Sequence, residues 1–359
     1  MTLASLTLPV WFLHIRISTI WWPIAFGLIA LVFVVLAIYV ARKPSKHFVW
    51  PVIGALLAIS LCVWTGMNAH YGWKQKVNDV LYPNSPRTPT IDFGQAPPRD
   101  VSLGVHVNVE IPGPKSGIGT QQGDIWLPQQ YFTQPSRKFP VVYLFHGTPG
   151  TSNDWFDDAD AIYSAIGLSI QRHPVILVAP TAAPEEVDSE CVNGTAGNWD
   201  TYLSQDVPTW IDANYRLLGG PAHTATAGLS MGGYCAQMLA LRYPDKYSVS
   251  GNFSGTTAAD FEGGLPALFG PVPNLQATID SYDSSWLVQN RPKSRTVATW
   301  LEVGSNENTK LIADQQAFYA LAKKLKMNAV FKTVPGEHTT LVWSDAFEDW
   351  LDWAIPKIS

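Results

Sequence analysis

The chain has 359 residues, enough for one large domain or two modest ones with a substantial core and no need of metal or disulfide staples. Its formal net charge of -5 provides no basic field for a polyphosphate, so nucleic acid is excluded as a partner class. No CxxC, HExxH or His/Cys cluster has metal-ligand spacing, and neither a metal nor an organic cofactor is expected.

The first feature along the chain is a charge-free apolar run from Ile17 to Ala41, and a second follows from Phe48 to Ala69. Each is long enough to cross a bilayer core. Trp21, Trp22, Trp50 and Trp64 fall toward the ends of the runs, where amphipathic rings favour the interface. The first run exceeds the apolar core of a signal peptide and is followed by basic residues and a second run, so a transmembrane hairpin is expected over residues 1–70. The connector carries Arg42, Lys43 and Lys46, against Arg16 and the amino group on the other flank. The positive-inside rule then puts the connector in the cytoplasm and everything after Ala69 on the outer face of the cell membrane.

Residues 71–100 are polar and contain Pro83, Pro86, Pro89, Pro97 and Pro98, which reads as a semi-extended linker to a catalytic domain over 101–359. From there strands and helices alternate. Val101 to Ile111 and Gly123 to Leu127 read as an antiparallel pair, while Pro140 to Phe145 and Val175 to Ala179 are the wholly apolar runs of buried parallel strands. Helices are expected over Ala159 to Gln171, Leu203 to Tyr215 and Met231 to Tyr243, with strands over His223 to Leu229 and Tyr247 to Phe253. The last third repeats the scheme: strand Val297 to Val303, helix Lys310 to Leu325, strand Ala329 to Thr333, helix Thr340 to Ile355. Such alternation implies a doubly wound, mostly parallel α/β sheet. Residues 255–286, with Phe261, Leu265, Leu268 and Phe269, form an insertion before the last strands that reads equally as loop or lid.

Between a strand and a helix stands Gly228-Leu229-Ser230-Met231-Gly232, the pattern of a nucleophile elbow, in which small flanking residues permit a strained turn that lifts a serine hydroxyl above the sheet. A serine hydroxyl is a weak nucleophile at neutral pH and needs a base, with an acid to orient that base. His338 follows Ser230 in the chain, between a strand and the last helix, and is the expected base. Glu307, just after the strand ending at Val303, is the expected acid; Glu302 within the strand and Asp314 inside the next helix are poorer candidates. Acyl transfer also requires backbone N–H groups for the developing oxyanion. Met231, next to the serine, and Thr148, in the turn His146-Gly147-Thr148-Pro149-Gly150, are the expected donors. His146 precedes the serine and is read as structural. Cys62 lies in an apolar run, which leaves Cys191 and Cys235 as the remaining pair; whether they bond is open at this level.

On these motifs, and on Ile125-Trp126-Leu127-Pro128, Asn198-Trp199-Asp200-Thr201-Tyr202 and the GLSMGG run, residues 100–356 resemble the putative-esterase family of α/β hydrolases, which includes esterase D and the antigen 85 mycolyltransferases. The resemblance implies an α/β-hydrolase fold, a triad of Ser230, Glu307 and His338, and oxyanion donors at Thr148 and Met231. The chain departs from antigen 85 in its hairpin and in reading His146-Gly147 where those transferases carry an acidic residue before the glycine. The expectation is a membrane-anchored serine esterase acting on a cell-envelope lipid or glycolipid ester, an aminoacyl lipid among them. The alternatives are an acyltransferase of the mycolyltransferase type and a non-catalytic binding module.

Overall fold

The computed structural model describes Phe12 and residues 15–42, 49–71, 74, 76–81, 88–156, 174–184 and 187–359. The helix expected over Ala159 to Gln171 lies outside them. The described residues group into two compact units. One comprises those of Met1–Asn84 together with Gly304–Asn306 and Val334–Val342; the other comprises those of Ser85–Val303, Glu307–Thr333 and Trp343–Ser359.

In the first unit, helices α1 (Trp21–Ala41) and α2 (Val49–Tyr71) are long and apolar enough to cross a membrane. They pack on each other closely enough that a Cβ on Gly54 would stand 2.6 Å from the Phe33 ring. Their outward faces remain open: Leu28, Leu31, Leu56 and Leu57 are each about three-fifths exposed, unlike the buried core helix of a water-soluble domain. The end of the hairpin is tied off by a buried asparagine. Asn68 Nδ2 donates to the carbonyls of Ile17 (3.3 Å) and Lys74 (2.7 Å), and its Oδ1 accepts from Lys74 N–H at 2.8 Å. Arg16 and Lys76 form an antiparallel bridge beside it. A short helix α3 (Val77–Leu81) follows, within the stretch expected to be a linker.

Among the described residues of the second unit, one sheet of nine strands runs in the order β1-β2-β3-β5-β4-β6-β7-β8-β9, where β1 is Thr90–Asp92, β2 Val105–Gly113, β3 Gly119–Leu127, β4 Val141–Phe145, β5 Ile176–Pro180, β6 Thr224–Leu229, β7 Val249–Phe253, β8 Ala298–Gly304 and β9 Ala329–Val334. The β2–β3 and β3–β5 pairs are antiparallel, and β5, β4, β6, β7 and β8 run parallel. Strand β1 pairs in parallel with β2, extending the sheet into residues read as linker from their prolines; Thr90 and Ile91 are β-branched and suit a strand. The mixed, mostly parallel sheet matches the expected doubly wound class.

Strands β4, β5 and β6 are buried at every residue, because helices cover both faces of a parallel sheet. Helix α5 (Met231–Arg242) is buried from Met231 through Leu241 and is accordingly small or apolar on nearly every side. The helix expected from Leu203 starts earlier, at Trp199, and passes through a wide turn at Tyr202–Asp206 before α4 (Val207–Asn214). Asp206 accounts for part of this: its carboxylate accepts the N–H groups of Lys115 and Ser116 at 3.0 and 2.9 Å. In the insertion, α6 (Leu265–Phe269) and α8 (Ser284–Asn290) contribute buried residues, whereas α7 (Leu275–Asp280) has none. Leu268 and Phe269 are buried, and the Phe269 ring stacks on Tyr282 with centroids 5.4 Å apart. Helix α9 is Thr309–Lys324, and the last helix, α10 (Thr340–Ile358), lays Trp350 on the sheet, its indole N–H reaching Ser250 O at 3.3 Å.

Register brings the functional loops together. Phe145 faces Gly228, Leu229 faces Phe253, and Phe253 faces Glu302, so the carboxyl ends of β4, β6, β7 and β8 lie side by side. In open α/β sheets that edge is where ligands bind.

Candidate active site

Ser230 stands between β6 and α5 with φ 54° and ψ -125°, a conformation that residues other than glycine rarely adopt. The backbone around it enforces the turn. Ser230 N–H donates to Phe253 O at 2.8 Å, and its own carbonyl accepts from Gly233 N–H at 2.9 Å. A Cβ on Gly228 would lie 1.8 Å from Gly232 O, and one on Gly232 would lie 2.1 Å from Phe145 O. Glycine at both positions is therefore a steric requirement of a strand and helix meeting this closely.

The turn after β4 passes directly against the serine: a Cβ on Gly147 would be 3.1 Å from Ser230 Cβ. Beyond it Thr148 Oγ1 meets Met231 Sδ at 2.9 Å, so the two expected oxyanion donors adjoin each other beside Ser230. Met231 opens α5, where the first N–H groups of a helix have no intrahelical acceptor.

His146 holds this turn. Its Nε2 accepts from Ala182 N–H at 2.9 Å, which places the ring proton on Nδ1, and Nδ1 donates to Gly147 O at 2.7 Å. The ring is fully buried, and burial lowers its pKa to about 4. A neutral imidazole with both nitrogens engaged in backbone bonds is structural, in agreement with its reading from the sequence.

Glu307 is buried in the loop after β8, and its Oε1 accepts from Ser254 Oγ at 2.6 Å. Ser254, just past β7, has φ +56° and donates its N–H to Glu302 O at 2.8 Å. The sequence reasoning missed Ser254; the available signal was a Ser-Gly pair directly after a buried strand, beside the serine-bearing strand in the sheet. The two carboxylates ranked below Glu307 have other partners. Glu302 Oε2 accepts from Trp300 Nε1 at 2.9 Å, and Asp314 receives Thr257 N–H and Oγ1 at 2.7 and 2.9 Å.

Ser230, Met231, Thr148 and Glu307 thus belong to the sheet-centred unit, whereas His338 lies on Val334–Val342, counted with the hairpin. Within that unit Ser305 and Asn306 N–H donate to Val334 O and Gly336 O at 2.6 and 2.9 Å, securing the chain just before His338.

Cys191 and Cys235 form a disulfide, with Cα atoms 5.6 Å apart, joining the loop after β5 to α5. Beside Cys191, the buried Glu190 has its pKa pushed up to about 8, first by desolvation and then by Asp188. Among the described residues, Glu302, Asp345 and Asp349 bring carboxylate oxygens within 4.8 Å of one another. Lys332 Nζ sits on Asp349 at 2.9 Å, so this acidic group already has a cation.

The chain is similar to known proteins in sequence and in fold. The chain is 26% identical over 274 residues to an uncharacterized protein of Corynebacterium glutamicum, covering 72% of this chain and 63% of that one. It is 33% identical over 155 residues to the esterase Rv1288 of Mycobacterium tuberculosis, covering 42% of this chain and 32% of the relative. The chain therefore spans less than two thirds of the length of these relatives. A solved ferulic acid esterase superposes with a TM-score of 0.59 at 20% identity, over 71% of this chain and 98% of that one, a likeness of fold. The Esterase family model, described as Putative esterase, matches residues 120–355. The chain belongs to that family.

Proposed function

We propose that this protein is a membrane-anchored serine esterase that hydrolyses a carboxylic ester of a cell-envelope lipid or glycolipid, an aminoacyl lipid among the candidates, through an acyl-enzyme on Ser230. The observation that carries the reading is the strained elbow of Ser230, set against the Gly147–Thr148 turn and the start of α5. In the first half-reaction the His338 imidazole takes the Ser230 proton as Oγ bonds to the ester carbonyl carbon. Glu307 orients that imidazole and stabilises its charge. The N–H groups of Thr148 and Met231 receive the negative charge on the carbonyl oxygen. Collapse of the tetrahedral intermediate breaks the bond to the alcohol, which leaves with the proton from His338. Water then repeats the sequence on the acyl-serine, releasing the acid and restoring the hydroxyl.

The apolar exposed hairpin supports membrane anchoring. The Cys191–Cys235 disulfide supports an extracytoplasmic catalytic domain, because such bonds persist in oxidising compartments. That agrees with the basic connector lying in the cytoplasm.

The test is ester hydrolysis by the full chain in lipid nanodiscs, with nitrophenyl esters and with a lipid ester. Ser230→Ala is expected to lower kcat/KM about 10³-fold or more. Full activity in the variant contradicts the assignment. Product analysis in the presence of an added sugar alcohol separates hydrolysis from transfer: free acid supports the esterase, and preferential formation of the transferred ester supports an acyltransferase.

A further inference from the structure

The hairpin end and the loop carrying His338 belong to one compact unit. Asn306 bonds to both. Its side-chain Nδ2 donates to the carbonyl of His70, in the last turn of α2. Its backbone N–H donates to Gly336 O at 2.9 Å, two residues before His338, and its neighbour Ser305 donates to Val334 O at 2.6 Å. Asn306 also directly precedes Glu307 in the chain.

The bond to His70 answers a need of the helix. The last four carbonyls of an α-helix have no intrahelical N–H, and His70 is the penultimate residue of α2. The helix end that receives the amide is itself well fixed: Asn68, two residues earlier in the same helix, is buried and bonded to both Ile17 and Lys74. A fixed helix end, a side-chain amide and a backbone clamp therefore run in series from the hairpin to the chain around His338.

We infer that the hairpin is more than a tether: through Asn306 it positions the loop that carries His338, so turnover at Ser230 depends on how the hairpin is seated. This rests on the triad reading given above. Asn306 is a positioning residue, acting through Glu307 and the 334–342 loop without touching substrate. A serine hydroxyl and its base must meet within hydrogen-bond reach, and small displacements of the base are costly to the chemical step while leaving substrate binding largely intact.

The test uses the full chain in nanodiscs with a water-soluble nitrophenyl ester. Asn306→Ala keeps both backbone bonds of the loop and removes the amide that reaches His70, together with the Oδ1 that accepts from Ser305 Oγ at 3.4 Å. It is expected to lower kcat about 10-fold with KM changed by less than about two-fold, and Asn306→Gln, which retains the donor, should restore kcat to within about three-fold. Active sites are counted by fluorophosphonate titration, and the count should match that of the wild type. Unchanged kcat in Asn306→Ala overturns the inference, as does an equal loss in Asn306→Gln, or a fall in titrated sites that accounts for the whole fall in rate. Failure of the underlying reading is separately visible, since it would appear as activity in Ser230→Ala.

Discussion

The serine side and the histidine side of the candidate site are built in different ways. Around Ser230 the backbone is enclosed by β4, β6, β7 and α5, with two glycines admitted by sterics alone and a buried neutral histidine pinning the adjoining turn. Around His338 the chain is a loop whose backbone bonds to Ser305 and Asn306, and it groups with the apolar hairpin. On the proposed reading the nucleophile is preorganised by the fold, whereas the base depends on connections such as the Asn306 side chain.

The contrast can be broken most severely at the elbow. Gly232→Ala brings a Cβ to 2.1 Å from Phe145 O, a backbone atom within a fully buried strand, so something in the sheet must shift. The expected cost is about 3 kcal/mol or more, read as a large drop in thermal midpoint together with loss of activity. A variant of wild-type stability would show the elbow to be less tightly enclosed than the geometry implies.

The pH dependence of stability sharpens the same side. His146 has a folded pKa of about 4 against about 6.5 when unfolded, so between those values the native state binds fewer protons than the unfolded chain. Its contribution is full above pH 6.5 and is lost progressively as the pH falls toward 4, amounting to about 3 kcal/mol. The thermal midpoint should fall across that window, and His146→Gln should flatten the slope.

A smaller effect is expected at the acid. Ser254→Ala removes the hydroxyl that donates to Glu307 at 2.6 Å and leaves the carboxylate buried. A charge-assisted bond of this kind is worth about 2 kcal/mol, so kcat should fall about 10-fold or somewhat more with KM nearly constant. No change in kcat would mean that Glu307 does not need this partner for turnover.

Much of the site was legible in the residues. The GxSxG pattern between an apolar strand and a helix located the elbow, because only small residues tolerate the contact that Gly232 makes with Phe145. His146 was separable from a catalytic base by chain order alone, and its two backbone bonds supply the reason. Ser254 was not legible: it becomes relevant only because β7 lies beside β6 and β8, a fact of sheet order rather than local pattern. The Cys191–Cys235 bond was likewise undecidable, since its partners are 44 residues apart and meet through the packing of α5. Strand β1 was hidden by prolines that read as linker.

The central claim is that Ser230 is the nucleophile, and the most direct measurement is to treat the nanodisc-embedded chain with a fluorophosphonate and map the adduct by mass spectrometry. The account expects one modified site, Ser230, with labelling lost in Ser230→Ala. Labelling at another serine, or labelling that persists in Ser230→Ala, would contradict it.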